Sequence, residues 1–280
     1  MTDLLIGGMH NLLKEEVEVW YKSARDSGFE GDIVLLAYNE PQQVLDSIAQ
    51  DGVIIVKPEV DHLNRPNTEH IIPRIGKFEI NRLRFYDIWT ILLQTDYRYV
   101  ITTDVRDVVF QSNPIPWLGK HMGEHELVVG SEGLAYGDSK YNSQDMIRNY
   151  GPFIREYLVK NSPLVCCGVL AGTARAIKET SLMMYLIATG CQDYAEQAAL
   201  NIMLSNGWDA KITTFDDGYI VHCGTAFDEK FSDEWQCLTS PKPIWKDGMM
   251  YKQDGTPVVI VHQYNRIAGA VESYRARYAR

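Results

Sequence analysis

Read from the N-terminus, the chain alternates short, wholly apolar runs with longer segments whose apolar residues recur every three or four positions. "DLLIGG" (3–8) predicts a strand that runs into a tight loop at its two glycines. "NLLKEEVEVWYKSARDSG" (11–28) is apolar at 12, 13, 17, 19 and 20 and stops at Gly28, the signature of a helix. "GDIVLLAYNE" (31–40) predicts a second strand, Pro41 opens a helix over 41–50, and "GVIIVKP" (52–58) predicts a third strand. Strands apolar on both faces, separated by amphipathic helices, indicate an α/β chain with a mostly parallel central sheet and helices on both faces.

The pattern continues after a polar loop with two prolines (59–73). "KFEINRLRFYDIWTILLQ" (77–94) has apolar residues at 78, 85, 88, 89, 92 and 93 and predicts a helix that delivers the chain to a strand at Tyr99-Val100-Ile101. Further strands are expected at 126–132, 164–173, 209–215, 218–224 and 256–266. Helices are expected at 142–159, broken at Gly151-Pro152, then at 174–190, at 193–207 and in the tail after 266. Residues 225–256 carry no clear period and read as irregular.

Composition narrows the function classes. A chain of 280 residues with 45% apolar and 23% charged residues can bury a substantial core. Its net charge of −10 and the lack of a Lys/Arg block argue against nucleic acid or an anionic membrane as partner. The five cysteines show no C-x-x-C pairing and read as reduced thiols. The N-terminus lacks the pattern of a signal peptide, and no run approaches the ~20 apolar residues of a bilayer span. A cytoplasmic protein without a transmembrane segment is therefore expected.

Chemistry concentrates in "YVITTDVRDVVFQSNP", where an apolar strand ends on Asp104 and Asp107, three residues apart. In a parallel sheet, ligands collect at the carboxyl ends of strands. Two carboxylates there can hold a divalent cation, with a diphosphate completing its oxygen shell. The structural alternative is an Asx turn with Arg106 paired to either acid. The apolar segments on both sides favour the cation.

That stretch resembles the aspartate motif of GT-A-fold glycosyltransferases, with one extra residue between the acids. The resemblance follows the family's motif order along most of the chain and is glycogenin-like in where the motifs fall. It implies one GT-A-like domain over 1–280, with a nucleotide-sugar-binding half (1–115) and an acceptor-side half (116–280). It implies Mn²⁺ or Mg²⁺ as cofactor, a nucleoside-diphosphate-sugar as donor and a hydroxyl-bearing acceptor such as a glycan. Metal contact falls chiefly on Asp107, with Asp104 on the ribose or reaching the ion through water. The helix before the motif supplies Lys77, Arg82 and Arg84 at the place where the family holds the diphosphate, and Arg84 is the preferred contact because a guanidinium can bind phosphate in a bidentate manner.

"CCGVLAGT" resembles the family's glycine-bearing loop beneath donor and acceptor, with Gly168 and Gly172 allowing close backbone approach, although Cys166-Cys167 replace its usual Asn or Ser. "DYAEQAALN" resembles the segment that contacts acceptor hydroxyls, which implies roles for Asp193 and Glu196. A helix cap with a capping box explains the same two residues. A histidine near the C-terminal end completes the metal site in glycogenin-like members. His262 stands in that order, with His222 as its rival and His10 near the nucleotide base or merely in a loop. The placing of this histidine leans the reading toward retention of anomeric configuration. A nucleotidyltransferase of the same fold needs a Gly-rich loop with Arg and Lys after the first strand, which "IGGMHNLLKEE" lacks. A dehalogenase-like phosphatase needs its acids near the N-terminus. A non-catalytic nucleotide- or sugar-binding protein is the alternative from another class.

Overall fold

The computed structural model describes residues 1–58, 77–191 and 195–279, with side chains from Ile80 onward in the second stretch. In chain order the elements are β1 (Thr2–His10), α1 (Lys14–Asp26), β2 (Asp32–Tyr38), α2 (Gln42–Ala49), β3 (Ile54–Val56), α3 (Lys77–Gln94), β4 (Tyr97–Thr103), β5 (Val108–Phe110) and α4 (Pro114–His121). They continue with β6 (Leu127–Ala135), α5 (Lys140–Ile154), β7 (Pro163–Thr173), α6 (Ala174–Ala188), α7 (Ala195–Ser205), β8 (Lys211–Thr213), β9 (Ile220–His222) and α8 (Cys223–Phe227). The last four are β10 (Ile244–Lys246), β11 (Met249–Tyr251), β12 (Ile260–His262) and α9 (Ala270–Tyr278).

Among the described residues the main sheet has seven strands in the order β3-β2-β1-β4-β7-β6-β8. Pairing is parallel from β3 to β4 and between β6 and β8, whereas β7 runs antiparallel to both of its neighbours. Alternate residues of each strand face opposite layers. Leu5, Ile33, Leu35 and Ile101 pack with Trp20 and Tyr21 of α1 and Leu45 and Ile48 of α2. Leu4, Ile6, Val34, Leu36 and Val100 pack with Phe85 and Ile88 of α3 and Ile177 and Met184 of α6. Helices thus cover both faces, and no helix among the described residues is long and apolar enough to cross a membrane.

A second, three-stranded sheet has the order β5-β12-β9. Its register sets His262 opposite both Val108 and His222. The tetrapeptide 104–107 carries the chain from the large sheet to this small one, because β4 ends at Thr103 and β5 begins at Val108.

Two expectations need correction, and a third is not tested. The first strand does not stop at its glycines: Gly7 and Gly8 pair with Leu35 and Leu36 inside β1. A Cβ at Gly7 would collide with the Val105 side chain, so the glycine marks a close crossing within the strand rather than a loop. Residues 225–256 contain a helical turn (α8), a 3₁₀ segment at Glu229–Cys237 and the β10–β11 hairpin. The loop expected at 59–73 lies outside the described residues.

Candidate active site

The spacing of the two acids follows from the crossover between sheets. Along 104–107 the side chains alternate in destination. Val105 is buried in the core beneath β1, and Arg106 points outward, where its guanidinium donates to Glu16 of α1 at 3.0 and 3.1 Å. Asp104 and Asp107 are left facing inward, toward the gap between the sheets. Arg106 therefore pairs with neither acid of the motif by hydrogen bond, which removes the simplest reason for a plain turn. The turn is held at both ends: Asp104 N donates to Gly168 O at 2.8 Å, and Gln263 N donates to Asp107 O at 2.7 Å.

His262, at the end of β12, closes the group. Its Nε2 lies 3.2 Å from Asp104 Oδ2 and 3.6 Å from Asp107 Oδ1, and the three donor atoms fall within 4.8 Å of one another. The ring is buried, and by its geometry Nε2 has no hydrogen-bond partner among the described residues, the two carboxylates being its polar neighbours. Its Nδ1 lies 2.7 Å from His222 Nδ1, so one of these nitrogens donates and the other accepts. Burial drives the His222 pKa well below its ordinary value, so His222 is neutral. A neutral His222 accepting from His262 Nδ1–H leaves His262 Nε2 turned to the acids. Two carboxylate oxygens and a histidine nitrogen without a hydrogen-bond partner, converging on one point, fit a divalent cation of the Mn²⁺ or Mg²⁺ kind.

The charges are strongly coupled. Burial would raise the Asp104 pKa, but Arg84 and His262 outweigh it and hold the carboxyl well below its usual range. Burial pushes Asp107 up, and neighbouring Asp104 adds to the shift against the pull of His262. Burial would lower His262, but Asp104 and Asp107 raise it.

Two clefts meet at this group. One, of about 280 Å³, is bounded by Gly8 and His10 at the end of β1 and Leu12 just after it, by Ile80, Asn81 and Arg84 of α3, and by residues 104–107. The other, of about 310 Å³, is lined by Glu132, Cys166, Gly168, Glu196, Gln197 and Thr225, among others. Asn81, Arg84, Asp104 and Arg266 border both.

The remaining expected site residues distribute unevenly. Arg84 lines both clefts, but its guanidinium is buried and hydrogen-bonded to Asp104. Its Nε has no partner among the described residues. Arg82 is turned away and donates to the carbonyls of Ala188 and Cys191. Lys77 begins α3, but its side chain lies outside the described residues, as does Asp193. Glu196 sits in the first turn of α7, buried at the second cleft, and its Oε2 has no partner among the described residues; burial raises its pKa. His10 ends β1 at the first cleft, where Nδ1–H donates to Tyr38 O at 2.9 Å and Asn11 Nδ2 donates to Nε2 at 3.0 Å.

Gly168 and Gly172 part company. Gly168 lies at the cleft, where a Cβ would collide with the His262 ring. Gly172 pairs with Val100 and Leu127 in mid-sheet, where a Cβ would collide with Glu126 O, and it lines neither cleft. The reason is strand direction. Because β7 runs antiparallel to β4, its beginning meets the carboxyl end of β4 and its "AGT" end points away.

Glu132 was not among the expected residues. Its Oε2 accepts from Thr225 Oγ1 at 2.6 Å and its Oε1 from Gln197 Nε2 at 3.2 Å, and burial raises its pKa. The signal was present, since "ELVVGSE" is another apolar run ending on an acid.

No family model matches the chain, and no curated protein matches it by sequence. Solved structures do match by shape. The galactosyltransferase LgtC, in complex with donor and acceptor sugar analogs, superimposes with a TM-score of 0.60 at 12% identity over 99% of this chain and 96% of that one. Mouse xyloside xylosyltransferase 1 gives 0.53 at 12% identity, over 93% and 96% of the two chains. GlyE of Streptococcus pneumoniae TIGR4 gives 0.53 at 12% identity, over 93% of this chain and 54% of that one. The fold is that of GT-A-type glycosyltransferases.

Proposed function

We propose that the protein is a divalent-cation-dependent glycosyltransferase that moves a sugar from a nucleoside-diphosphate-sugar to a hydroxyl acceptor. The observation that carries this reading is the convergence of Asp104, Asp107 and His262 Nε2 where the two clefts join. The cleft beside β1 and α3 receives the nucleoside diphosphate, and the cleft beside Glu132 and Glu196 receives the donor sugar and the acceptor. Residues 1–115 then supply most of the donor side and residues 116–280 most of the acceptor side.

In the reaction, the bond from the anomeric carbon to the diphosphate oxygen breaks and the nucleoside diphosphate leaves with the electron pair. The acceptor oxygen bonds to that carbon, and its hydroxyl proton passes to an oxygen of the departing diphosphate. A cation held by Asp104, Asp107 and His262 would supply positive charge beside the departing diphosphate. The chain's own residues do the rest. Arg84 keeps Asp104 ionised and oriented, Gly168 lets His262 close on the acids, and Glu196 offers a free carboxyl oxygen to an acceptor hydroxyl. Gln197 and Thr225 hold Glu132 in place. The lean toward retention rests on the histidine's place in the motif order, and the configuration of the product measured by NMR tests it.

Among the described residues the arginines lining the clefts are paired: Arg84 is bonded to Asp104, Arg106 to Glu16, and Arg266 to Asp228 at 3.1 Å. With a net charge of −10, the protein's average field repels a diphosphate. Nucleoside diphosphate alone is therefore expected to bind poorly, and to bind clearly once Mn²⁺ or Mg²⁺ is added. A melting-temperature screen with uridine, guanosine, cytidine and adenosine diphosphates, with and without each ion, reads this without knowledge of the acceptor. Ligand at about 100 times its Kd should add about 2.7 kcal/mol of stability. No shift with any nucleotide at millimolar ligand and ion would overturn the reading.

A further inference from the structure

The inner wall of the site holds a second set of donors that glycosyl transfer does not use. Cys166 Sγ lies 3.8 Å from His262 Nδ1, and His222 Nδ1 lies 2.7 Å from that same nitrogen. All three side chains are buried, and their donor atoms fall within 4.8 Å of one another. We propose that Cys166 Sγ, His222 Nδ1 and His262 Nδ1 form a site for a thiophilic divalent ion of the Zn²⁺ type, joined to the oxygen-rich cation site through the two nitrogens of the His262 ring.

The distances suit such an ion. Zinc–sulfur bonds of about 2.3 Å and zinc–nitrogen bonds of about 2.0–2.1 Å, at tetrahedral angles, set the two nitrogens about 3.3 Å apart and sulfur about 3.6 Å from nitrogen. A small rotation of the His222 ring converts the present hydrogen bond into that arrangement. Access is present too, because Cys166 and His262 both line the 310 Å³ cleft, from which a water can take the fourth position.

The backbone is cut back on both sides of the imidazole pair. A Cβ at Gly130 would stand 2.6 Å from His222 Nε2, and one at Gly168 would collide with His262. His222 Nε2 has no hydrogen-bond partner among the described residues, so it can keep its proton while Nδ1 binds the ion. Ligand hardness sorts the two ions. Thiolate and imidazole favour zinc, while Asp104 and Asp107 favour Mn²⁺ or Mg²⁺. On binding, the Cys166 thiol proton and the proton shared between the two Nδ1 atoms pass to solvent, so that with both ions present the His262 ring bridges them as an imidazolate. His262 Nε2 still faces the acids.

Cobalt titration of the metal-free protein tests this independently of any nucleotide or sugar. Co²⁺ should give, to one equivalent per chain, a thiolate-to-cobalt charge-transfer band and the visible bands of a tetrahedral ion, any further Co²⁺ held at the acids should add nothing to that band, and Zn²⁺ should displace the thiolate-bound ion. Cys166→Ser should abolish the charge-transfer band. It should also weaken Zn²⁺ binding by more than ~10²-fold, since even indirect partners of metal ligands are worth 10–100-fold. Cys237→Ser, at a half-buried thiol outside the cluster, and Asp107→Asn should keep the band. A wild-type protein saturated with Co²⁺ but lacking the band, or a band that survives in Cys166→Ser, overturns the proposal. Neither result touches the transferase reading, which the nucleotide screen decides separately.

Discussion

Asp107→Asn is expected to give a folded protein whose nucleoside diphosphate binding no longer responds to divalent ions and whose sugar transfer is slower by ~10²-fold or more. The substitution keeps shape and removes one of two anionic ligands. The stability effect should run the opposite way. Burial and Asp104 together raise the Asp107 pKa in the folded state. A carboxyl whose folded pKa lies above its unfolded value costs stability as pH rises through that range, so the ionised group is a burden on the fold at neutral pH. Asp107→Asn should therefore melt at the same temperature as the native protein or higher. This separation of stability from function is expected of a binding site and is not expected of a structural turn. Thermal melts, donor-binding titrations with and without Mn²⁺, and transfer assays on the one variant check it. Normal ion-dependent binding in a folded Asp107→Asn protein would reduce the motif to a turn.

Gly168→Ala is the second change with a large expected effect, and it replaces none of the three proposed ligands. The added methyl would occupy the space of the His262 ring. The strand cannot yield easily, because Gly168 O accepts from Asp104 N and the neighbouring residue Val169 pairs with Thr103. The ring must move instead, which carries His262 Nε2 away from the acids. Overpacking of this kind costs about 1–3 kcal/mol. Both a lower melting temperature and a weaker Mn²⁺ titration are therefore expected. Unchanged values for both would show that His262 can relax without loss. Gly172→Ala serves as the comparison: it should destabilise through Glu126 O while leaving the ion affinity of the folded fraction intact.

Much of the fold could be read in the chain because its strands are continuous apolar runs and its helices carry an unambiguous period. The strand end at Asp104 and the apolar restart at Val108 could be read for the same reason. What the pattern could not carry was pairing between distant segments. His222 and His262 were rivals in the sequence, yet β9 and β12 lie parallel and in register, so the two rings touch. The direction of β7 is likewise set by its neighbours rather than its own residues, and this sent Gly168 to the site and Gly172 away from it. Glu132 went unread because its partners, Thr225 and Gln197, are 93 and 65 residues distant. Short elements such as β10 and β11, three residues each, fall below the length at which periodicity gives a signal.

The central claim is that a divalent cation and a nucleoside diphosphate share the junction of the two clefts. Crystals grown with Mn²⁺ and the nucleoside diphosphate that gives the largest thermal shift, measured for anomalous scattering from manganese, test it most directly. The account predicts one strong peak within coordination distance of Asp107 and His262 Nε2, with Asp104 on the ion directly or through one water and diphosphate oxygens completing its shell. A manganese peak elsewhere, or a nucleotide bound away from Arg84 and residues 104–107, would contradict it.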